Sequence, residues 1–81
     1  FHVALLIDKN NQSELDKLDS FLIRISERAI RMDGTCTGEH GIGQGKRKYM
    51  LKELGNAVDV MKKVKNAFDP KKIMNPGKIF L

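Results

Sequence analysis

The 81-residue sequence predicts an α+β fold that is mostly helical, with one or two short strands and three helices. Apolar residues recur every three or four positions over long stretches, which is the pattern of helices with one buried face. A continuous apolar run near the start is too short for a typical helix and predicts a strand. The length allows at most one small domain, and a chain of this size buries only about 60% of its unfolded surface.

The first strand is expected at residues 2–7, because this aliphatic run has strand length and is apolar on both faces. The polar residues 8–11 then form a turn. A second short strand is expected at residues 35–37, which are rich in β-prone threonine. The chain opens inside an apolar run without a methionine. We therefore expect that an upstream part of the protein is missing.

The first helix is expected from Ser13 to about Met32, with Ser13 and Asp16 as a weak capping box. Gly34 is placed to be the left-handed residue that ends it. One apolar stripe at helical spacing should face the core. Its members are Leu15, Leu18, Leu22, Ile25 and Ala29.

A second helix is expected from about Gly45 to Leu54, and a third from its cap at Asn56 to a stop at Pro70. The third helix carries a stripe that we assign to the core. Its members are Ala57, Val60, Met61, Val64 and Phe68. Residues 75–78, Asn-Pro-Gly-Lys, have the proline and glycine of a type II turn.

The net charge of +5 allows an anionic partner such as nucleic acid. Lys46, Arg47 and Lys48 lie in the first turn of the expected second helix, where cations oppose the helix dipole but suit a bound anion. They could equally point into water. No apolar run reaches the 18 or more residues of a membrane span. The single cysteine excludes an internal disulfide and is weak support for a reducing compartment.

The strongest functional signal is the stretch from Gly34 to Gly45, which holds five of the seven glycines around the adjacent pair Glu39-His40. Clustered glycines indicate positive φ angles or a backbone that approaches something closely. The pair could bind a divalent metal, act as a general base through the imidazole, or be purely structural. The only other imidazole is His2, so further metal ligands would have to come from outside this sequence.

Two other chemistries for this loop have weaker support. Cys36 could be a nucleophile with His40 as its base, although nothing in the sequence fixes their geometry. The glycines could cradle a phosphate, but the loop lacks the P-loop sequence and a clear βαβ context. A small basic anion- or nucleic-acid-binding module therefore remains the alternative function, and a purely structural interaction domain is a third. Only Tyr49 lies near the basic cluster to stack on a base.

Two segments together resemble a known family. They are residues 35–46, TCTGEHGIGQGK, and residues 68–78, FDPKKIMNPGK. Their order and spacing are similar to the C-terminal end of FAD-linked oxidases of the vanillyl-alcohol oxidase type, in the group of cytochrome-type D-lactate dehydrogenase, the glycolate oxidase flavin subunit and D-2-hydroxyglutarate dehydrogenase. The resemblance implies that residues 1–81 are the C-terminal part of a substrate (cap) domain and that the N-terminal FAD-binding domain is absent from this chain.

The resemblance also implies roles for individual residues. Phe1-His2 looks like the end of the family's H-x-G-D-G-N-x-H stretch, which makes His2 a metal ligand with Glu39, for a divalent metal such as zinc or manganese. His40 would be the catalytic base, and Asn75 would lie near the flavin. Relatives that oxidise dicarboxylates have a substrate-binding asparagine where this sequence has Ala4, so the resemblance favours lactate or glycolate.

The implied protein is a flavin-dependent dehydrogenase that oxidises a D-2-hydroxy acid, with FAD bound mainly by the missing domain. The isolated chain would then be inactive. Its expected partners are a small 2-hydroxy acid and the FAD domain, with no nucleic acid and no transmembrane segment, and a homo-oligomer is left open. The expected location is the bacterial cytoplasm or the periphery of the inner membrane, or the mitochondrion in a eukaryote.

Overall fold

The computed structural model describes residues 2–80, which form three α-helices joined by loops. Helix α1 spans Gln12–Arg31, α2 spans Met50–Leu54 and α3 spans Ala57–Phe68, and a 3₁₀ turn at Arg47–Tyr49 leads directly into α2. Phe1, which the resemblance places beside the metal histidine, and Leu81 lie outside this range. The expected number of helices is confirmed.

The prediction of an α+β fold is wrong, because residues 2–80 contain no strand. Residues 2–7 form no backbone hydrogen bonds with another described segment. At residues 35–37, the Cys36 amide donates to the Glu53 carboxylate and the Thr37 amide to the Thr35 hydroxyl. A strand exists only where a neighbouring strand takes its amides and carbonyls. An apolar run predicts that a segment is buried, but it does not predict whether a neighbouring strand is present.

Helix α1 begins slightly earlier than expected. Its N-cap is Asn11, whose side-chain oxygen accepts the Glu14 amide at 3.3 Å. Asparagine is at least as good a cap as serine, so Ser13 is drawn into the first turn of the helix. The last helical residue, Arg31, lies one residue before the expected end.

The C-terminal end of α1 is a Schellman motif, but Gly34 does not take the left-handed conformation. Asp33 does, with φ 58°, and aspartate is among the few residues that tolerate this region. The Gly34 amide donates to the Ala29 carbonyl at 2.8 Å. A Cβ on Gly34 would lie 2.9 Å from that carbonyl oxygen, so glycine is required here for close approach.

The second helix is shorter than predicted at its start, whereas α3 begins directly after its predicted cap, Asn56. The expected second helix is replaced over its first turn by the 3₁₀ segment Arg47–Tyr49. Asn56 occupies the N-cap position of α3 without a side-chain capping bond, and Asp69, just before Pro70, is the C-cap. Lysines reach from α2 and the 3₁₀ turn to carboxylates on α1 through the pairs Lys52–Glu27 and Lys48–Asp19.

The core of the described residues is small. Its buried apolar members are Cys36, Tyr49, Met50 and Val58. The α3 stripe that was assigned to the core is largely exposed, with Val60 61% and Phe68 81% accessible. This assignment is wrong for residues 2–80, because α3 packs on α2 and no other described element covers that face. Within this range, no helix combines the length and hydropathy that crossing a membrane requires.

Candidate active site

The glycine loop presents Glu39 and His40 at the tip of a tight turn. The Gly41 amide donates to the Gly38 carbonyl at 3.1 Å, so Glu39 and His40 occupy the two central positions. Gly41 has φ +74°, a conformation that suits glycine and lets the chain turn sharply after His40. Gly43 also has a positive φ, +50°, so two of the glycines after the pair have a backbone cause.

Two imidazoles converge on one oxygen of the Glu39 carboxylate at this tip. His2 Nδ1 lies 3.4 Å from Glu39 Oε1, and His40 Nε2 lies 3.5 Å from the same oxygen. All three are open to solvent, with 72% of His2, 73% of Glu39 and 86% of His40 accessible. The expected proximity of His2 and Glu39 is thus found across 37 positions of sequence.

This donor set is compatible with a divalent metal. Imidazole nitrogen and carboxylate oxygen are ordinary zinc ligands, and two ligands about 2.0–2.2 Å from a tetrahedral ion lie about 3.3 Å apart. The His2–Glu39 distance of 3.4 Å matches this separation. The set is not a complete cage, since residues 2–80 contain no group of three or more His, Cys, Asp or Glu arranged to hold a metal ion.

The entrance to the loop is tied to α2 through Glu53. Its carboxylate accepts the Cys36 amide at 3.1 Å. Hydrogen bonds from the Cys36 thiol and from Thr35 lower the pKa of Glu53. The Gly38–Gly41 turn begins only two residues after Cys36. The bond between the Cys36 amide and Glu53 therefore fixes the position at which the turn starts.

Cys36 lacks the properties of a catalytic nucleophile. It is 5% exposed, and burial, together with the Glu53 carboxylate, raises its pKa from 9.0 to about 11. Reactive cysteines are accessible and have a lowered pKa, because the thiolate is the attacking species. The structure therefore argues against Cys36 as a nucleophile and gives it a place in the core.

The C-terminal turn lies against the glycine loop. The Lys78 amide donates to the Asn75 carbonyl at 3.3 Å and Gly77 has φ +74°, as the predicted type II turn requires. Beyond the turn, the Ile79 amide donates to the Gly43 carbonyl at 2.7 Å. The Arg47 guanidinium donates to the Gly77 carbonyl, also at 2.7 Å. The two segments that carry the family resemblance are therefore held together by hydrogen bonds from the residues that directly follow them, Ile79 and Arg47.

Asp69 organises the chain between α3 and this turn. Its carboxylate, in a residue only 3% exposed, accepts the Ile73 and Met74 amides at 3.0 Å each. Lys65 Nζ donates to Asp69 at 2.7 Å and to the Met74 carbonyl at 2.6 Å. The Lys65 bond is the main cause of the lowered pKa of Asp69. Sequence reasoning missed this residue, although an aspartate in a turn can accept hydrogen bonds from backbone amides a few residues later in the chain.

The basic cluster is partly used inside the molecule. Arg47 is bonded to Gly77, and Lys48 Nζ lies 3.7 Å from Asp19 and 5.3 Å from the centre of the Tyr49 ring. The Lys48 contacts are solvent-exposed and contribute little to stability. Because Arg47 and Lys48 make these contacts, fewer cations of the cluster remain to bind the anion that the sequence analysis considered.

The glutamate–histidine turn lies beside a Pro-Gly turn on a helical framework, and the comparison with known proteins gives the family of this chain. Residues 1–79 match the family model "FAD linked oxidases, C-terminal domain". Because the match covers nearly the whole chain, the chain belongs to this family.

Relatives of the chain are named as D-lactate dehydrogenases and glycolate oxidase subunits. The chain is 64% identical over 81 residues to D-lactate dehydrogenase [cytochrome] 1, mitochondrial, of Saccharomyces cerevisiae, with 99% of the chain and 14% of the relative covered. It is 49% identical over 80 residues to a probable mitochondrial D-lactate dehydrogenase of Danio rerio, covering 98% and 16%. Glycolate oxidase subunit GlcD of Bacillus subtilis is 41% identical over 80 residues, covering 98% and 17%. The chain thus spans about one sixth of the length of these relatives.

Proposed function

We propose that this chain is the C-terminal part of a flavin-dependent dehydrogenase that oxidises a D-2-hydroxy acid, of lactate or glycolate type, to the 2-oxo acid. The observation that carries the proposal is the convergence of His2, Glu39 and His40 at an exposed turn. The names of the relatives, D-lactate dehydrogenase and glycolate oxidase subunit, support the substrate class.

In this proposal His40 takes the proton of the substrate hydroxyl. Nε2 of His40 faces the Glu39 carboxylate at 3.5 Å, which favours the tautomer with its proton on Nε2. Nδ1 is then the unprotonated nitrogen that accepts the hydroxyl proton. The substrate loses this proton from its hydroxyl oxygen and a hydride from the carbon that bears the hydroxyl, which leaves the 2-oxo acid. FAD supplies the acceptor for that hydride.

His2 and Glu39 would hold a divalent metal such as zinc or manganese, with further ligands from elsewhere in the longer protein. Such a metal supplies a Lewis acid that favours charge on the substrate oxygen. Both side chains are exposed to solvent, so a metal and ligands from the longer protein can reach them. The neighbouring imidazole of His40 stays available for the proton.

Asn75 is proposed to contact the flavin. Its side chain is exposed, and within residues 2–80 no hydrogen bond to that side chain is present. It is the first residue of the turn that Gly77 joins to Arg47 and that Ile79 joins to the glycine loop. An amide placed there could hydrogen-bond a flavin that lies beside His40.

The longer protein would supply an FAD domain as the main partner of this chain. Four eukaryotic relatives are named as mitochondrial, and three bacterial ones are named as GlcD subunits. We therefore propose a mitochondrial location if the source is a eukaryote, and the cytoplasm or the inner-membrane periphery if it is a bacterium. The oligomeric state is left open.

The experiment is turnover and flavin reduction by the purified longer protein with D-lactate, glycolate and L-lactate. D-lactate or glycolate should reduce a bound flavin, and L-lactate should not. Glu39→Ala should lose both activity and bound metal, measured by elemental analysis. Gln44→Ala, an exposed change in the same loop, is the matched control and should keep both.

A protein that binds FAD but is not reduced by any D-2-hydroxy acid would contradict the proposed substrate class. Full metal content in Glu39→Ala would contradict its role as a ligand. The 81-residue chain alone should carry no flavin and no activity, and a flavin spectrum from that chain would contradict the division of labour proposed here.

A further inference from the structure

We infer that Arg47 is a positioning residue for the Glu39–His40 turn, and that it acts through the C-terminal segment 73–79, here called the strap. The inference rests on the proposed function for its catalytic meaning. The sequence left open whether Arg47 binds an anion or points into water, and the inference gives it a positioning role instead.

The strap is fastened at both ends. At its start, Asp69 accepts the Ile73 and Met74 amides, and Lys65 holds the Met74 carbonyl. Near its end, Arg47 holds the Gly77 carbonyl and the Ile79 amide reaches the Gly43 carbonyl. The strap therefore connects the end of α3 to the glycine loop.

The glycine loop has few other restraints. Within residues 38–45 the backbone bonds are the Gly38–Gly41 turn, a bond from the Lys46 amide to the Ile42 carbonyl, and the bond from Ile79. Among residues 38–45 of the described chain, only the Ile79 bond joins the loop backbone to a distant segment, while the Cys36–Glu53 bond holds the loop entrance before the turn. Beyond that entrance, the orientation of the turn that carries Glu39 and His40 depends on where Ile79 is held.

Arg47 fixes that point. Gly77 precedes Ile79 by two residues, and a guanidinium bond of 2.7 Å to a carbonyl is charge-assisted and directional. Gly77 has φ +74° and Ile79 has φ 66°, which is unusual for a β-branched residue. A backbone held in this conformation at Ile79 needs restraint on both sides, and Arg47 provides it from the turn.

The test uses the longer flavoprotein with Arg47→Met, Arg47→Lys and the control Arg24→Met. Arg24 is exposed on α1, and no hydrogen bond or ion pair involving its side chain occurs within residues 2–80. Arg47→Met should slow flavin reduction by D-lactate about 10-fold, with a much smaller change in KM. Arg47→Lys, which keeps a donor, should recover part of the rate, and added guanidinium ion should partly rescue Arg47→Met.

Amide hydrogen exchange gives the second readout. Exchange at Ile79 and Gly41 should accelerate about 10-fold in Arg47→Met and stay unchanged in Arg24→Met. Unchanged exchange at both amides would overturn the inference, and so would a loss expressed only as raised KM, because that would make Arg47 a contact of the substrate anion. If the wild-type protein is not reduced by any D-2-hydroxy acid, the proposed function fails, while accelerated exchange would still show that Arg47 positions the turn.

Discussion

Replacing Glu53 by glutamine should loosen the entrance to the glycine loop by an amount that can be worked out. Glu53 accepts the Cys36 amide at 3.1 Å as a carboxylate. Hydrogen bonds to charged groups contribute about 1.5–3 kcal/mol and neutral ones about 0.5–1.5 kcal/mol. Glutamine keeps the shape and an acceptor, so Glu53→Gln should cost about 1 kcal/mol, which corresponds to about five-fold faster exchange of the Cys36 amide.

The pH dependence supplies a second check. The pKa of Glu53 lies below its usual 4.5, mainly because of the bond with the Cys36 thiol. A lowered pKa means that the stabilisation is present above pH 4.5 and is lost as the pH falls below that value. The exchange ratio of Glu53→Gln to wild type should therefore be about five at neutral pH and approach one in acid.

The matched control is Asp59→Asn, an exposed change in α3 that should stay within about 0.5 kcal/mol of wild type. If Cys36 exchanged equally fast in wild type and in Glu53→Gln at neutral pH, the bond would not restrain the loop. A ratio that did not change with pH would contradict the charged state assigned to Glu53.

Three further changes test the core and the loop. Tyr49 has a buried hydroxyl without a hydrogen-bond partner among the described residues, so Tyr49→Phe should leave stability unchanged or raise it by up to about 1 kcal/mol in thermal unfolding. Cys36 has a pKa of about 11 instead of 9.0, so stability should fall as the pH rises from 9.0 to about 11, and this fall should be absent in Cys36→Ser. Gly41→Ala should cost about 1–2 kcal/mol because φ is +74°, whereas Gly38→Ala, with open space for a Cβ and no positive φ, should cost much less in the same assay.

The helices were predictable because each carries its own periodic pattern and end signals. The absence of a strand at residues 2–7 was not predictable from sequence. An apolar run predicts burial, but a segment becomes a strand only where a neighbouring segment pairs with it. The exposed stripe of α3 has the same cause, since Val60 and Phe68 have no described surface to pack on. Asp33 takes the left-handed role assigned to Gly34 because Gly34 is needed one position later, where its backbone approaches the Ala29 carbonyl too closely for a Cβ.

Part of the candidate site was also readable from sequence. The glycines around Glu39 and His40 predicted a special loop, and the family resemblance predicted that His2 would lie near Glu39. The fastening residues were missed. Arg47 reaches a carbonyl 30 positions away, and a bond from a side chain to a distant backbone group leaves no periodic trace. Asp69 also accepts from backbone amides, those of Ile73 and Met74. Every such residue has an amide whatever its side chain, so these bonds leave no pattern in the sequence.

The most direct test of the account is the rate of flavin reduction by a D-2-hydroxy acid in the longer protein, measured anaerobically for wild type and His40→Ala. A general base typically contributes 10²–10⁴-fold, so His40→Ala should slow reduction by about that factor while flavin and metal contents stay near those of wild type. A near-normal rate in His40→Ala would make the histidine structural and contradict the proposed proton transfer at the Glu39–His40 turn.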